Sequence, residues 1–138
     1  MIRALFDTNV IVDYLALREP YRENADLIFD LITDNHIIGY VNTSSVTDIY
    51  YILRKTYSVS DKDCRQKIRG LLELLQAIAV TKDDCYTALD SLISDFEDAV
   101  VAVCADKVDI DFIVTRDDEF LKISKTISPS EFLTKIQP

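Results

Sequence analysis

The sequence predicts an α/β fold: a three-layer α/β/α sandwich around a central parallel sheet of about five strands. Short apolar runs alternate with longer segments of helical periodicity, a pattern typical of a parallel sheet that helices cover on both faces. Only two glycines and three prolines interrupt the 138 residues, so helices should dominate. This length corresponds to one domain, spanning residues 1–138.

Each predicted strand is a short, largely apolar run that stops at a polar residue. Helices are placed where apolar residues recur at helical spacing. Pro20 fits a first helical turn, and Ser44 or Ser45 and later Asp95 are suitable caps. In chain order the prediction is strand 2–6, helix 10–17, helix 20–33, strand 36–41, helix 44–57, loop 58–63, helix 64–76, strand 77–81, helix 83–93, helix 95–107, strand 112–115, strand 126–128 and helix 129–136.

Four aspartates stand at positions that a parallel sheet brings to one edge. Asp7 and Asp117 follow predicted strands, and Asp48 and Asp98 lie near the starts of predicted helices. Such folds bind ligands at the carboxyl ends of their strands. Carboxylates gathered there repel one another unless a cation neutralises them. The pattern therefore predicts a Mg²⁺ or Mn²⁺ site, with one or two metals, and that site predicts phosphate chemistry.

Each aspartate also has an ordinary structural explanation, as a helix cap, a capping-box partner, a dipole-complementing charge or a turn residue. Folding does not require all four positions to be acidic, which favours the metal site for the set. Asn9, Ser45 and Thr115 are well placed to orient carboxylates or water around a metal. Capping and turn hydrogen bonds are the equal alternative for these three.

Composition limits the classes of function. A net charge of −9 and a pI near 4.5 argue against a protein that holds nucleic acid by bulk electrostatics. Three separated cysteines make a disulfide framework improbable and fit a reducing compartment. The N-terminus lacks the apolar stretch of a signal peptide, and the longest apolar run, residues 99–105, is too short to span a membrane. We expect a soluble, cytoplasmic protein.

A basic stripe could guide a phosphate backbone towards the acids. Lys62, Arg65 and Arg69 share a helical face, and Arg116 adjoins Asp117. The alternative for this stripe is a solvated helix face.

Aromatic side chains offer a second route to nucleic acid. Tyr50, Tyr51 and Tyr57 could stack on single-stranded bases, although core packing is the commoner use of tyrosine at this spacing. His36, the only histidine, is distant in sequence from the acids, so a histidine-dependent mechanism is not expected.

The ordered set of segments resembles the PIN domain over essentially the whole chain. The matching features are LFDTNV at residues 5–10, a serine-initiated helix that carries an acid, EDA at 97–99 before an Ala/Val-rich helix, and IVTRD at 113–117 before Phe120. The resemblance implies a metal-dependent nuclease with a five-stranded parallel sheet. It also implies kinship with small VapC-like toxins, which cleave RNA, are silenced by an antitoxin protein and form homodimers.

By this resemblance, the catalytic and metal-binding acids are Asp7, Asp48, Asp98 and Asp117. The second acid of the family is usually glutamate, and Asp48, one methylene shorter, resembles a subset with aspartate there. Asp95 is the additional acid expected to join the metal network.

Two other functions remain open, and two further ones lack residues that they require. A non-toxin nuclease that processes RNA would need the same acids. A PIN-like scaffold that binds RNA or protein without cleavage would be signalled by loss of acids, and all four are present. A haloacid-dehalogenase-type phosphatase would need aspartate where Asn9 stands, and a receiver domain would need an acidic pair and a late lysine that the sequence lacks.

Overall fold

The computed structural model describes residues 1–136 and contains one parallel sheet with helices on both faces. The strands are β1 (Ile2–Phe6), β2 (Ile37–Asn42), β3 (Gln76–Ile78), β4 (Phe112–Val114) and β5 (Thr126–Ile127). The helices are α1 (Thr8–Leu15), α2 (Arg22–Thr33), α3 (Thr43–Lys55), α4 (Asp61–Leu74), α5 (Lys82–Leu89), α6 (Phe96–Lys107) and α7 (Pro129–Ile136).

The strand order β3-β2-β1-β4-β5 places β1 at the centre of the sheet, and every neighbouring pair is parallel. From β1 the chain first builds outward through β2 and β3, and then returns to add β4 and β5 on the other side. The order therefore reverses between β1 and β4. In open α/β sheets this reversal leaves a crevice at the carboxyl ends of the two strands, where ligands bind.

Alternate strand residues supply two separate cores. Ala4 and Phe6 of β1 pack with the core that contains residues of α1, α2, α3, α4 and α7, whereas Leu5 packs with the core of α5 and α6. This alternation follows from the two-residue period of a strand. As predicted, α6 is buried over most of its surface, because Ala99, Val100, Val101, Cys104 and Ala105 are all in the second core.

The fold class predicted from the sequence is confirmed, and the differences concern element boundaries. The helix expected to begin at Ser44 or Ser45 begins at Thr43 with Asn42 as its cap residue, so Ser45 lies inside the first turn. The loop predicted at residues 58–63 is shorter, because the Ser60 hydroxyl accepts the Asp63 N–H and starts α4 at Asp61.

Two helices are shorter than predicted. Pro20 follows a cis peptide bond in the turn before α2, which begins only at Arg22. The helix predicted to reach residue 93 ends at Leu89, and turns carry the chain from there to the cap of α6.

Other findings concern cysteines and membranes. Cys64, Cys85 and Cys104 are all free. Within residues 1–136, every helix is too short or too polar to serve as a membrane span.

Candidate metal centre

Acidic side chains converge in a cleft of about 270 Å³ at the reversal point of the sheet. Asp7 lies directly after β1, Asp117 follows β4, and Asp95 and Asp98 lie at the start of α6. All four line the cleft together with Glu97. The structure therefore brings together three of the four predicted catalytic acids and the additional acid Asp95.

Asp48, the fourth predicted acid, lies at the edge of this cluster. Its side chain is exposed on α3, and Ile52, one helical turn further on, lines the cleft wall. The charge of Asp48 still raises the pKa of Glu97, so the two carboxylates are within electrostatic range.

Asp7 is held more rigidly than the other acids. Its backbone N–H donates to the Val114 carbonyl at 3.0 Å, which ties the end of β1 to β4. Its Oδ1 accepts the Thr8 N–H at 2.9 Å as the cap of α1, and its Oδ2 accepts the Thr115 hydroxyl at 2.8 Å. The ordinary capping explanation therefore applies to Asp7, and the residue also lines the cleft.

Thr115 connects two of the acids. Its hydroxyl is fully buried, donates to Asp7 and accepts the Asp117 N–H at 3.1 Å. Asn9 supports the same region, because its Nδ2 lies 3.4 Å from Asp7 Oδ2 and its Oδ1 accepts the Arg116 N–H at 3.2 Å. Two of the three predicted supporting residues therefore contact the acids directly or through the backbone.

Ser45, the third predicted supporting residue, is buried in α3. Among residues 1–136 its hydroxyl makes no hydrogen bond to any of the four aspartates. The capping box that was the ordinary explanation for Asp48, with Ser45 as the cap, does not form, because the helix starts before Ser45.

The acids raise one another's pKa. Burial, and then repulsion from Asp95 and Asp117, raises the pKa of Asp98 to about 7. Burial raises the pKa of Asp7 more than its hydrogen bonds lower it, and burial followed by repulsion from Asp7 and Asp48 raises the pKa of Glu97. The cluster is therefore strained in its fully ionised form, which is the form that a divalent cation stabilises.

The donor set fits Mg²⁺ or Mn²⁺ in chemistry. Carboxylate oxygens are the ligands these hard cations prefer, and no histidine or cysteine lines the cleft. The side chains are not gathered into a finished cage: across residues 1–136, no three Asp, Glu, His or Cys side chains stand close enough to hold one ion between them. Magnesium fits such an open arrangement, because it keeps several of its own waters.

The predicted supporting set did not include Asp13 and Arg18. Arg18 is the one basic side chain among the described residues that line the cleft; its Nε donates to the Tyr57 hydroxyl and its Nη1 lies 3.6 Å from Asp13. Asp13 is 1% exposed, so its carboxylate needs partners. The signal was available in the sequence: Asp13 is the only charged residue of α1, within an otherwise apolar run.

Arg116 is bound to the protein rather than directed at the acids. Its Nε and Nη2 form a two-point ion pair with Asp13, at 2.6 Å and 3.0 Å. Its guanidinium carbon lies 3.6 Å from the centre of the Tyr21 ring. If Arg116 contacts RNA as predicted, it must do so while it remains paired with Asp13 and stacked on Tyr21.

The basic stripe lies on the exposed face of α4. Arg65 and Arg69 line a groove of about 610 Å³ between α3 and α4, together with Tyr50 and Tyr51. Arg65 is paired with Asp61 at 3.0 Å, and Lys62 is exposed without lining the groove. Two of the predicted cations and two of the predicted tyrosines therefore meet in one groove, separated from the cleft by α3.

The tyrosines and the histidine considered in the sequence have structural partners or lie away from the acidic cleft. Tyr50 donates its hydroxyl to Asp61, and Tyr57 accepts from Arg18. His36 is exposed just before β2 begins, at the edge of the sheet opposite the acids.

Comparisons with known proteins agree with this fold. The family model described as the PIN domain matches residues 3–119. The chain belongs to the PIN domain family. No curated protein matches it in sequence.

Solved structures with the same fold include three related to toxin–antitoxin systems. A toxin–antitoxin complex from Klebsiella pneumoniae is 17% identical, with a TM-score of 0.68 over 91% of this chain and 97% of that chain. VapC20 of Mycobacterium tuberculosis, a toxin that cleaves the sarcin-ricin loop, is 14% identical, with a TM-score of 0.71 over 88% and 95%. VapBC2 of Rickettsia felis, bound to a promoter DNA fragment, is 15% identical, with a TM-score of 0.62 over 92% and 97%.

Proposed function

We propose that this PIN domain is a metal-dependent endoribonuclease that hydrolyses RNA phosphodiester bonds with Mg²⁺ or Mn²⁺. The observation that carries the proposal is the convergence of Asp7, Asp98 and Asp117 with Asp95 in a cleft at the reversal point of the sheet. Nothing in the packing of the domain requires this concentration of acids. Burial, followed by repulsion from the neighbouring acids, raises the pKa of Asp98 to about 7, so keeping the ionised carboxylates together has an energetic cost.

Asp7, Asp48, Asp98 and Asp117 would hold the metal, with Asp95 as an additional ligand. When bound, such a cation neutralises the carboxylates and activates water for attack on phosphorus. Thr115 and Asn9 would keep the Asp7 carboxylate in one orientation through the hydrogen bonds described above. Arg18 is positioned at the cleft wall to attract the phosphate that approaches the acids.

The substrate would reach the cleft along neighbouring surfaces. Arg65 and Arg69 in the α3–α4 groove offer phosphate contacts, and Tyr51, which is 57% exposed beside them, offers a stacking surface. Lys62 extends the same helical face. Such a local basic surface is compatible with a chain whose net charge is −9.

We further propose that the chain is the toxin of a toxin–antitoxin pair, acts in the cytoplasm and forms homodimers. The support is the family membership and the toxin–antitoxin systems among proteins of the same fold. A basic segment of an antitoxin would find an acidic cleft to enter. A neighbouring gene for a small basic protein would support this assignment.

Cleavage of a mixed RNA pool tests the enzymatic part. The protein should cut RNA with Mn²⁺ or Mg²⁺, stop when a chelator is added, and leave 5′-phosphate and 3′-hydroxyl ends, because water attacks phosphorus directly. Asp7→Asn should lose at least 100-fold in rate, a loss typical of removing a central catalytic group. Asp34→Asn, an exposed aspartate at the end of α2, is the matched control and should cut normally.

Equal cleavage by wild type and Asp7→Asn would indicate a contaminating nuclease. Absence of cleavage by the folded, antitoxin-free protein with either metal would favour a PIN scaffold that binds without cutting.

A further inference from the structure

A second cavity adjoins the acidic cleft. It measures about 410 Å³ and lies between α1, α2, the segment after β4 and the start of α7. Consecutive residues alternate between the two sites: Asp117 lines the cleft, whereas Arg116 and Asp118 line this lateral cavity. On α1, Asn9 lines the cleft and Val10 the lateral cavity. An RNA strand bound at the acids would therefore place its neighbouring nucleotide beside the lateral cavity.

The floor of the lateral cavity is a rigid cation beside an aromatic ring. Asp13 fixes Arg116 by two short ion-pair contacts, and the guanidinium carbon lies 3.6 Å from the centre of the Tyr21 ring. Tyr21 is 40% exposed, so much of its surface is available to a ligand. Aromatic rings and guanidinium planes are the surfaces on which unpaired bases stack in RNA-binding proteins.

The rim of the cavity is polar and carries both donors and acceptors. Asn24 contributes an amide from α2, and Ser128 and Ser130 contribute hydroxyls at the start of α7. Asp118 contributes an exposed carboxylate. A base edge presents donors and acceptors together, and these groups can pair with both.

We propose that the lateral cavity is a nucleobase subsite, which holds the base of a nucleotide next to the bond that is cut. The proposal rests on the proposed ribonuclease function and extends it from cleavage to base selection. The volume lies within the range of small-molecule sites, and the combination of a stacking floor with a mixed polar rim matches a planar, hydrogen-bonding ligand.

A phosphate group fits the cavity less well than a base. The Arg116 charge is already balanced by Asp13, and the rim carries the carboxylate of Asp118. A second phosphate would meet this carboxylate without a free cation to compensate. The backbone of the RNA is better placed towards Arg18, and its base towards Tyr21 and Asn24.

Binding of single-stranded oligoribonucleotides tests the subsite separately from cleavage. Fluorescence anisotropy would compare labelled oligomers of mixed sequence with abasic oligomers of equal length, in the Asp7→Asn background so that no RNA is cut. Asn24→Ala should weaken binding of the base-containing oligomers about tenfold, and Tyr21→Leu by a similar factor, in line with the loss of one stacked or paired base. Binding of the abasic oligomers should change less than twofold.

Gln66→Ala is the matched control, because it removes an exposed amide on α4 outside the cavity. Asn24 is only half-buried on α2 and alanine favours helix, so the folded state should survive the test substitution. Circular dichroism and thermal unfolding would confirm this.

The outcomes separate the subsite from the ribonuclease assignment. Selective loss of base-dependent binding would support the subsite even if the wild-type protein cut no RNA. Unchanged binding in both variants would overturn the subsite while leaving any metal-dependent cleavage by wild type intact. Unchanged RNA binding with weakened association of a partner protein would also overturn it, and would assign the cavity to protein contact.

Discussion

At the scale of single residues, the hydrogen-bonded acids differ from the exposed ones. Asp7 accepts from Thr8, Thr115 and Asn9, so its carboxylate is oriented before any ligand arrives. Asp48, by contrast, is exposed on α3.

Replacement of Thr115 by valine tests the fixed orientation of Asp7. Valine has nearly the same shape but lacks the hydroxyl that donates to Asp7 and accepts the Asp117 N–H. We expect Thr115→Val to lower metal affinity about 10- to 100-fold, a usual effect of losing a partner of a metal ligand. Isothermal titration with Mn²⁺ would measure this.

Thermal unfolding of Thr115→Val provides the control. The domain should remain folded, at a cost of about 1–3 kcal/mol for the partly buried Asp117 N–H left without its partner. Wild-type metal affinity in a folded Thr115→Val protein would show that the hydroxyl does not orient the site.

The Asp98 carboxyl gives the metal-free protein a characteristic pH dependence. Folding raises the pKa of Asp98 from 3.8 to about 7, so the folded protein retains a proton that the unfolded chain releases near pH 4. The resulting stability is complete at low pH and is lost as the pH rises through 7. The raised pKa values of Asp7 and Glu97 act in the same direction.

With a chelator present, the free energy of unfolding should therefore fall between about pH 4 and pH 7 and level off above pH 7, measured by urea denaturation. Asp98→Asn should flatten this fall and be more stable than wild type at pH 8 by about 1–3 kcal/mol. The hydrogen bond from Lys107 is the main cause that lowers the pKa of Asp84. The stability that Asp84 contributes is therefore lost only at lower pH, outside this window. A wild-type slope retained in Asp98→Asn would assign the pH dependence to other groups.

At the scale of elements, β2 shows how closely the helices approach the sheet. A β-carbon added to Gly39, near the middle of this strand, would lie 2.5 Å from Leu75 Cδ2, 2.8 Å from Ile32 Cδ1 and 3.1 Å from Phe6 Cε2. The glycine therefore lets helix residues pack directly against the strand. Gly70, by contrast, has nothing within 4 Å of such a carbon and lies in α4, where glycine weakens a helix.

The two glycines give a matched pair of substitutions with opposite expected signs. Gly39→Ala should destabilise the domain by about 1–3 kcal/mol, because Leu75 and Ile32 are buried and must shift in a close-packed core. Gly70→Ala should stabilise it by about 0.5–1 kcal/mol through helix propensity. Chemical denaturation measures both, and a neutral Gly39→Ala would mean that the core relaxes at no cost.

At the scale of the whole molecule, the cleft at the carboxyl ends of the strands contributes strongly to the net charge of −9. The cleft gathers five acids and a single arginine, and their repulsion opposes folding until it is neutralised. A cation that binds only the folded protein should therefore act as a stabiliser.

Metal addition is thus expected to raise the midpoint of thermal unfolding. With free Mn²⁺ at a hundred times its Kd, the gain is about 2.7 kcal/mol, which corresponds to roughly 5–10 °C for a domain of this size. Asp7→Asn should lose most of the increase, and Asp34→Asn should keep it, as followed by differential scanning calorimetry. An equal increase in all three proteins would indicate binding away from the cleft.

The prediction from sequence was most successful where one local signal was enough. Helix α6 was placed almost to the residue, because Asp95 caps it and an apolar run fixes its burial. The end of α5 was misplaced, because Leu92 and Ile93 continued an apolar pattern that the chain leaves after Leu89. The supporting pair of Asp13 and Arg116 was missed because its members are 103 residues apart and meet only in the folded chain.

The sequence by itself determined the fold class, through its periodicity, and the family, through the ordered set of segments that resembles the PIN domain. The acids were predicted from their positions at strand and helix ends. Tertiary structure decided which acids meet: Asp7, Asp98 and Asp117 share the cleft with Asp95, whereas Asp48 remains at its edge. It also turned Arg116 inward to Asp13 and brought Arg18 to the acids. The physical reason is that the buried Asp13 carboxylate requires cations, and the parallel pairing of β1 with β4 brings Arg116, which follows β4, to Asp13 on α1.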